Sequence, residues 1–252
     1  MAICDSADAN PDTIDFDTFL GNAPKVPYEL NRFFRWRNYK DYGTRVAGDL
    51  FVHAFSTLNH ILSSHGPNRA LATGGLRYWN DGRNVPDVTI TLYDYPKTDT
   101  HAAFNAAFRV NFIAGSGGGG GFRLIGTEGA MEVGQNSVKL TRSKLGRTPS
   151  DYSIIAFTEA TQKKIMEGYA AKNLESRASK LETGTTTWEA PKDYKGGRYD
   201  HFYNFFQGIQ GKRNIVQDPT FGLRAAGAAL LANESYFKKQ PVDWNPKAMK
   251  LI

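Results

Sequence analysis

Hydrophobic and polar positions change rhythm several times along the chain, and each rhythm predicts an element. From residue 46 to 62, Ala47, Leu50, Phe51, Ala54, Phe55, Leu58 and Leu62 recur at the three- and four-residue steps of a helix. Residues 70–79 and 87–95 read as strands. In the second of these, Val88, Ile90 and Leu92 fall on one face, and Thr89, Thr91 and Tyr93 on the other. Phe104, Ala106, Phe108, Val110 and Phe112 alternate in the same way, and further short strands run to residue 142. A polar helix is predicted around 157–172. The charged, weakly hydrophobic stretch that follows, 173–197, reads as an excursion or mobile loop.

Two helices close the chain. The first stacks Phe202, Phe205, Phe206 and Ile209 at helical spacing, which assigns them to a core. The second opens on Asp218 as N-cap and runs to about Phe237. Residues 1–30 carry Pro11, Pro24 and Pro27 with little periodicity and read as an extended arm; residues 31–252 read as one domain. Strands in the middle with helices at both ends predict an α+β fold: an open, mostly antiparallel β-sheet with helices packed on one face.

Gly115-Ser-Gly117-Gly-Gly-Gly120 fits the dinucleotide-binding pattern G-x-G-x-x-G. That motif works only where a strand leads through the glycines into a helix, whose free N–H groups meet the pyrophosphate. Downstream here, residues 122–125 are strand formers stopped by Gly126, followed by a tight turn and a second short run, 130–133. The glycines therefore read as a connection between antiparallel strands, and no cofactor-binding residues are assigned in this chain.

Composition narrows the field. Of 252 residues, 40% are hydrophobic and 22% charged, as in an ordinary globular protein with a sizeable core. No apolar run reaches the length of a membrane span, and the acidic, polar N-terminus is unlike a secretory signal. The lone Cys4 excludes an internal disulfide framework. The net charge of +6 is spread rather than striped, so neither a nucleic-acid nor a membrane partner is expected.

The candidate chemistry lies on the first long helix. Asp49, His53 and His60 point within about 40° of one another at 100° per residue. Three readings stand: a metal site, a structural histidine–carboxylate pair, or an acid/base histidine, His53, oriented by Asp49 one turn away. The metal reading must bridge about 16 Å of helix between Asp49 and His60. Before the helix, Arg35, Trp36, Arg37, Tyr39, Asp41 and Tyr42 supply the donors and ring faces from which sugar and polyol sites are built. The same residues could equally form an aromatic mini-core with snorkelling arginines.

Trp36-Arg37, then Gly48-Asp49-x-x-x-His53 opening a helix, resembles the second domain of the glucose–fructose oxidoreductase, inositol dehydrogenase and rhizopine-catabolism family (Gfo/Idh/MocA). Phe19-Leu-Gly-Asn-Ala-Pro24, Trp79-Asn-Asp-Gly-Arg83, Pro86-Asp87, His201-Phe-Tyr-Asn-Phe-Phe206 and Phe221-Gly-Leu-Arg-Ala-Ala226 extend the resemblance over about residues 10–252. It implies a domain that walls a sugar or polyol substrate and uses an open sheet for homo-oligomer contacts. NAD or NADP would be held by a separate Rossmann domain that carries a catalytic lysine in an E-K-P motif. His53 would then be the acid/base and Asp49 its neighbour, with Trp36 and Arg37 on the wall.

Three departures stand out. No Rossmann unit precedes residue 10 and no E-K-P occurs; the glycines before Asp49 reduce to Gly43 and Gly48; and Ser56 stands where an acidic residue is common. The expectation is a substrate-binding and oligomerisation domain without its cofactor domain, inactive alone. The alternative is a stand-alone carbohydrate-binding or assembly protein of the same fold.

Overall fold

The computed structural model describes residues 8–115, 120–143, 154–172 and 183–252. These fall into two compact units, one from residues up to 117 and from 203 onward, the other from residues 118–202. The class is α+β; the described residues form two open antiparallel sheets and no closed barrel.

The first unit carries a five-stranded sheet in the order β3-β2-β1-β8-β9, with β1 Arg69–Gly75, β2 Val88–Tyr95, β3 Phe104–Asn111, β8 Val242–Asn245 and β9 Lys250–Leu251. Its inner face is covered by α3, Arg45–Leu62, and α6, Pro219–Lys238. Phe55 of α3 meets Tyr93 edge-on, with ring centroids 4.9 Å apart, and Phe51 meets Phe108 at 5.4 Å. α6 is capped by Asp218, whose carboxylate accepts from the Phe221 N–H at 2.7 Å. It is pinned to the sheet where Ser235 Oγ accepts from the Ala72 N–H at 2.9 Å. The two helices approach closely because Gly48 faces Leu230; a Cβ there would stand 2.5 Å from Thr44 Cβ and 3.3 Å from Leu230 Cδ2.

Of the two faces of β2, the structure buries the less apolar one. Thr89, Thr91, Tyr93 and Tyr95 point into the core, while Ile90 and Leu92 are 42% and 52% exposed. Register explains the choice. Thr91 stands opposite Phe108, Tyr93 opposite Ala106 and Ala70, and Tyr95 opposite Phe104, so the apolar faces of the neighbouring strands carry β2's hydroxyl face inward. Leu71, 46% exposed, pairs with Leu92 on the outer face, which no described helix covers.

The second unit holds the sheet β4-β5-β6-β7, formed by Phe122–Gly126, Gly129–Val133, Ser137–Arg142 and Gly184–Glu189, together with the helix α4, Glu159–Lys172. Strands therefore do follow the glycine run, but β3 and β4 lie in different sheets and do not pair. Residues 116–119 of the run lie outside the described residues, as do 173–182 of the expected excursion. Its later part, 184–189, is β7, whose Thr185, Thr186 and Thr187 pair with β6; β-branched side chains suit an exposed strand.

Two other elements differ from the sequence reading. Residues 1–30 include a short helix, α1 Phe16–Leu20, buried through Phe16 and Leu20 and braced by Tyr28 against Phe16. The helix α5, Gly197–Ile209, buries none of its side chains: Phe202, Phe205, Phe206 and Ile209 are all exposed and do not form a core. Helical spacing identifies an apolar face but cannot say what covers it.

Candidate functional site

The site is built on the first turn of α3 and the segment before it. Residues 30–34 form a short helix, α2 Leu30–Phe34, followed by a tight helical turn, Trp36–Asn38. Gly43 lets the chain fold back onto that turn, since a Cβ there would come within 3.0 Å of the Trp36 ring. Arg37 lies over the Trp36 ring at 4.1 Å, and its Nε stands 3.4 Å from Asp49 Oδ2. Indole, guanidinium and carboxylate thus form one chain of contacts from the turn to the helix.

His53 follows Asp49 by one turn, a rise of about 6 Å, and is exposed, as is His60 further along. The polar stripe of α3 faces away from the sheet, while Val46, Phe51, Phe55 and Leu58 are buried beneath it. Among the described residues no three His, Cys, Asp or Glu side chains gather to hold a metal ion.

The structure separates the remaining candidates from this chain of contacts. Tyr39 is buried under the Arg32 guanidinium, 4.6 Å from its ring centre, and burial raises its pKa. Tyr42 accepts from Arg32 Nη1 at 3.3 Å, and its ring lies 5.6 Å from that of Phe19. These two tyrosines belong to an aromatic–arginine core with Phe19 and Phe33; Asp41 sits exposed on the intervening turn. Trp36, Arg37, Asp49 and His53 remain together at the surface.

One residue essential to the local architecture has a weaker sequence signal. Asp87, fully buried, accepts from the backbone N–H groups of Arg77, Tyr78 and Trp79 at 2.8, 3.0 and 3.0 Å. Burial works against its charge, but the backbone donors prevail and hold its pKa below the ordinary carboxylate value. The Pro-Asp pair before a strand was the only hint. Asn84 joins this loop to the turn: its N–H donates to Asn38 O at 3.2 Å, and its Oδ1 accepts from the Lys40 N–H at 2.7 Å.

The described residues after the glycine run form the β4–β5 hairpin rather than a helix, so they do not supply the strand–loop–helix a pyrophosphate needs. A concavity of about 420 Å³ on the sheet that contains this hairpin, lined by Leu124, Ile125, Met131 and Leu140 together with Glu128 and Arg142, belongs to the second unit.

No protein-family model matches the chain, and no curated protein is similar to it. Solved structures are similar, oxidoreductases among them. Levoglucosan dehydrogenase in complex with NADH and L-sorbose matches with a TM-score of 0.54 at 15% identity, over 88% of this chain and 55% of that one. Its complex with NADH matches with a TM-score of 0.54 at 15% identity, over 87% of this chain and 54% of that one. An oxidoreductase from Agrobacterium radiobacter, in complex with NAD+, L-tartaric acid and magnesium, matches at 0.48 and 14%, over 88% and 55%. The chain therefore spans about half the length of the structures it matches, and it shares the fold of one part of levoglucosan dehydrogenase. This agrees with the α+β fold that the resemblance implied.

Proposed function

We propose that this chain is the substrate-binding and oligomerisation part of an NAD(P)-dependent sugar or polyol oxidoreductase. The observation that carries the reading is the Arg37–Asp49 pair on the Trp36 turn, one helical turn before the exposed His53, in a fold shared with a sugar-binding dehydrogenase structure. His53 takes the proton of a substrate hydroxyl, and NAD(P)+ would supply the acceptor for the hydride of the carbon that bears it. Asp49 holds the adjacent charge, and Arg37 and Trp36 orient the substrate. NAD or NADP is held by a dinucleotide-binding part outside these residues. The uncovered outer face of the five-stranded sheet, with Leu71, Ile90 and Leu92, is the homo-oligomer contact.

The test combines the chain with a dinucleotide-binding part and measures sugar or polyol oxidation with NAD(P)+. His53→Ala should lower turnover by at least about a hundredfold, the usual worth of a positioned acid/base. Turnover like that of the wild type would remove His53 from the reaction. The exposed outer face of the five-stranded sheet also fits a second reading, a stand-alone carbohydrate-binding or assembly protein. Saturable sugar binding by the chain, with no NAD(P)H response in any combination, would select it.

A further inference from the structure

We propose that Arg45, the first residue of α3, is a positioning residue for this site: its left-handed backbone, clamped by α6, sets the direction in which residues 36–44 leave the helix, so that Arg37 meets Asp49. The inference rests on the reading of Asp49 and His53 given above and adds the residue that assembles their surroundings.

Arg45 has a φ of +61°, a region that is costly for a residue with a Cβ. Ser63 and Lys239 share that region, but each ends a helix, where a left-handed cap supplies donors for the last carbonyls. Arg45 stands at the start of one, where no such cap is needed. Its Nε is also buried and meets no acceptor among the described residues. The surroundings therefore hold this conformation, and they come from one face of α6. Leu230, Asn233 and Phe237 follow the i, i+3, i+7 spacing of a helix stripe. Leu230 lies against Gly48, where a Cβ would come within 3.3 Å of its Cδ2. Asn233, 4% exposed, donates from Nδ2 to the Thr44 carbonyl at 2.7 Å. The Phe237 ring takes the Arg45 guanidinium at 4.6 Å from its centre.

The consequence falls on Asp49. On a helix surface an arginine and an aspartate four residues apart are neighbours of opposite charge. Here the Arg45 guanidinium is committed to Phe237. The Asp49 carboxylate is left to Arg37, 3.4 Å away, whose own guanidinium lies over Trp36. Turning φ at residue 45 from +61° to the roughly −60° of an ordinary helix would rotate the preceding segment by about 120° around the N–Cα bond. Arg37 and Trp36 would then swing away from Asp49.

The experiment compares Arg45→Gly, which adopts a φ of about +60° without steric cost, with Arg45→Val, whose branched Cβ resists it. The first readout is the indole N–H signal of Trp36 in heteronuclear NMR of the 252-residue chain, assigned through Trp36→Phe. The second is turnover in the combined enzyme. Arg45→Gly should keep the Trp36 signal in place and turnover within about threefold of the wild type. Arg45→Val should move the signal and lower kcat by about tenfold or more, since an ångström of misplacement is enough. A Trp36 signal unmoved in Arg45→Val, even with a lower thermal midpoint, would reduce Arg45 to a structural role and overturn the inference. An Arg45→Gly variant as impaired as Arg45→Val would overturn it too, because the guanidinium rather than the backbone would then matter. If the wild type oxidises no sugar or polyol in any combination, the catalytic reading falls, and the indole signals alone decide the positioning role.

Discussion

Ser235 and Ala72 join α6 to the middle of the five-stranded sheet: the Ser235 hydroxyl accepts from the Ala72 N–H at 2.9 Å and donates to the Gln240 carbonyl at 2.7 Å. Ser235 is fully buried, so its hydroxyl fixes both the helix position and the turn into β8. Ser235→Ala would leave a strand N–H and a carbonyl without partners. It should lower stability by about 1–3 kcal/mol, read from urea unfolding. A loss below a few tenths of a kcal/mol would show that the clamp is dispensable.

Asp87 makes the loop beside the site acid-sensitive. Its folded pKa lies below the unfolded carboxylate value, so its stabilising contribution is fully present above about pH 4. The contribution is lost as pH falls through the lowered folded pKa. Asp87→Asn should therefore destabilise at neutral pH and flatten the stability profile below pH 4. Thermal melts of both proteins from pH 2.5 to 7 measure this; parallel profiles would exclude Asp87 as the titrating group.

Thr89 is buried on the inner face of β2, and its hydroxyl has no hydrogen-bond partner. A nearly isosteric methyl removes the desolvation penalty and keeps the packing. Thr89→Val should raise stability by about 1 kcal/mol, seen as a higher urea midpoint at unchanged slope. A destabilised variant would mean that the hydroxyl is satisfied by bound water.

Leu71 and Leu92 stand directly opposite each other on the uncovered face of the same sheet. If that face is the assembly contact, Leu92→Lys should shift the chain toward monomer in sedimentation velocity with little change in thermal midpoint, because the position is already half exposed. An unaltered oligomer would place the contact elsewhere.

Arg37 and Asp49 are both substantially solvent-exposed, so their pairing should contribute little to folding. Asp49→Ala should change unfolding free energy by less than about 1 kcal/mol while impairing turnover in the combined enzyme. A large stability loss would mark the pair as structural instead.

Local pattern carried much of this molecule. The spacing from Ala47 to Leu62 predicts α3, Asp218 predicts the start of α6, and the alternation from Val88 to Tyr95 predicts β2, because these signals depend only on backbone period and capping chemistry. Asp49 and His53 were legible as neighbours for the same reason: helical rise and rotation place them one turn apart. Three outcomes depended on contacts between elements rather than on the period within one. Opposition to Phe104, Phe108 and Ala70 turned the Thr–Tyr face of β2 inward and left Ile90 and Leu92 outside. Side-chain contacts with Arg32 placed Tyr39 and Tyr42 in a core while leaving Trp36 and Arg37 beside Asp49. Asn84 and Asp87 came to brace a loop against residues some forty and ten positions away respectively. A sequence sets the period of each face, but which face is buried depends on the partner that meets it, and that is decided only when the chain folds.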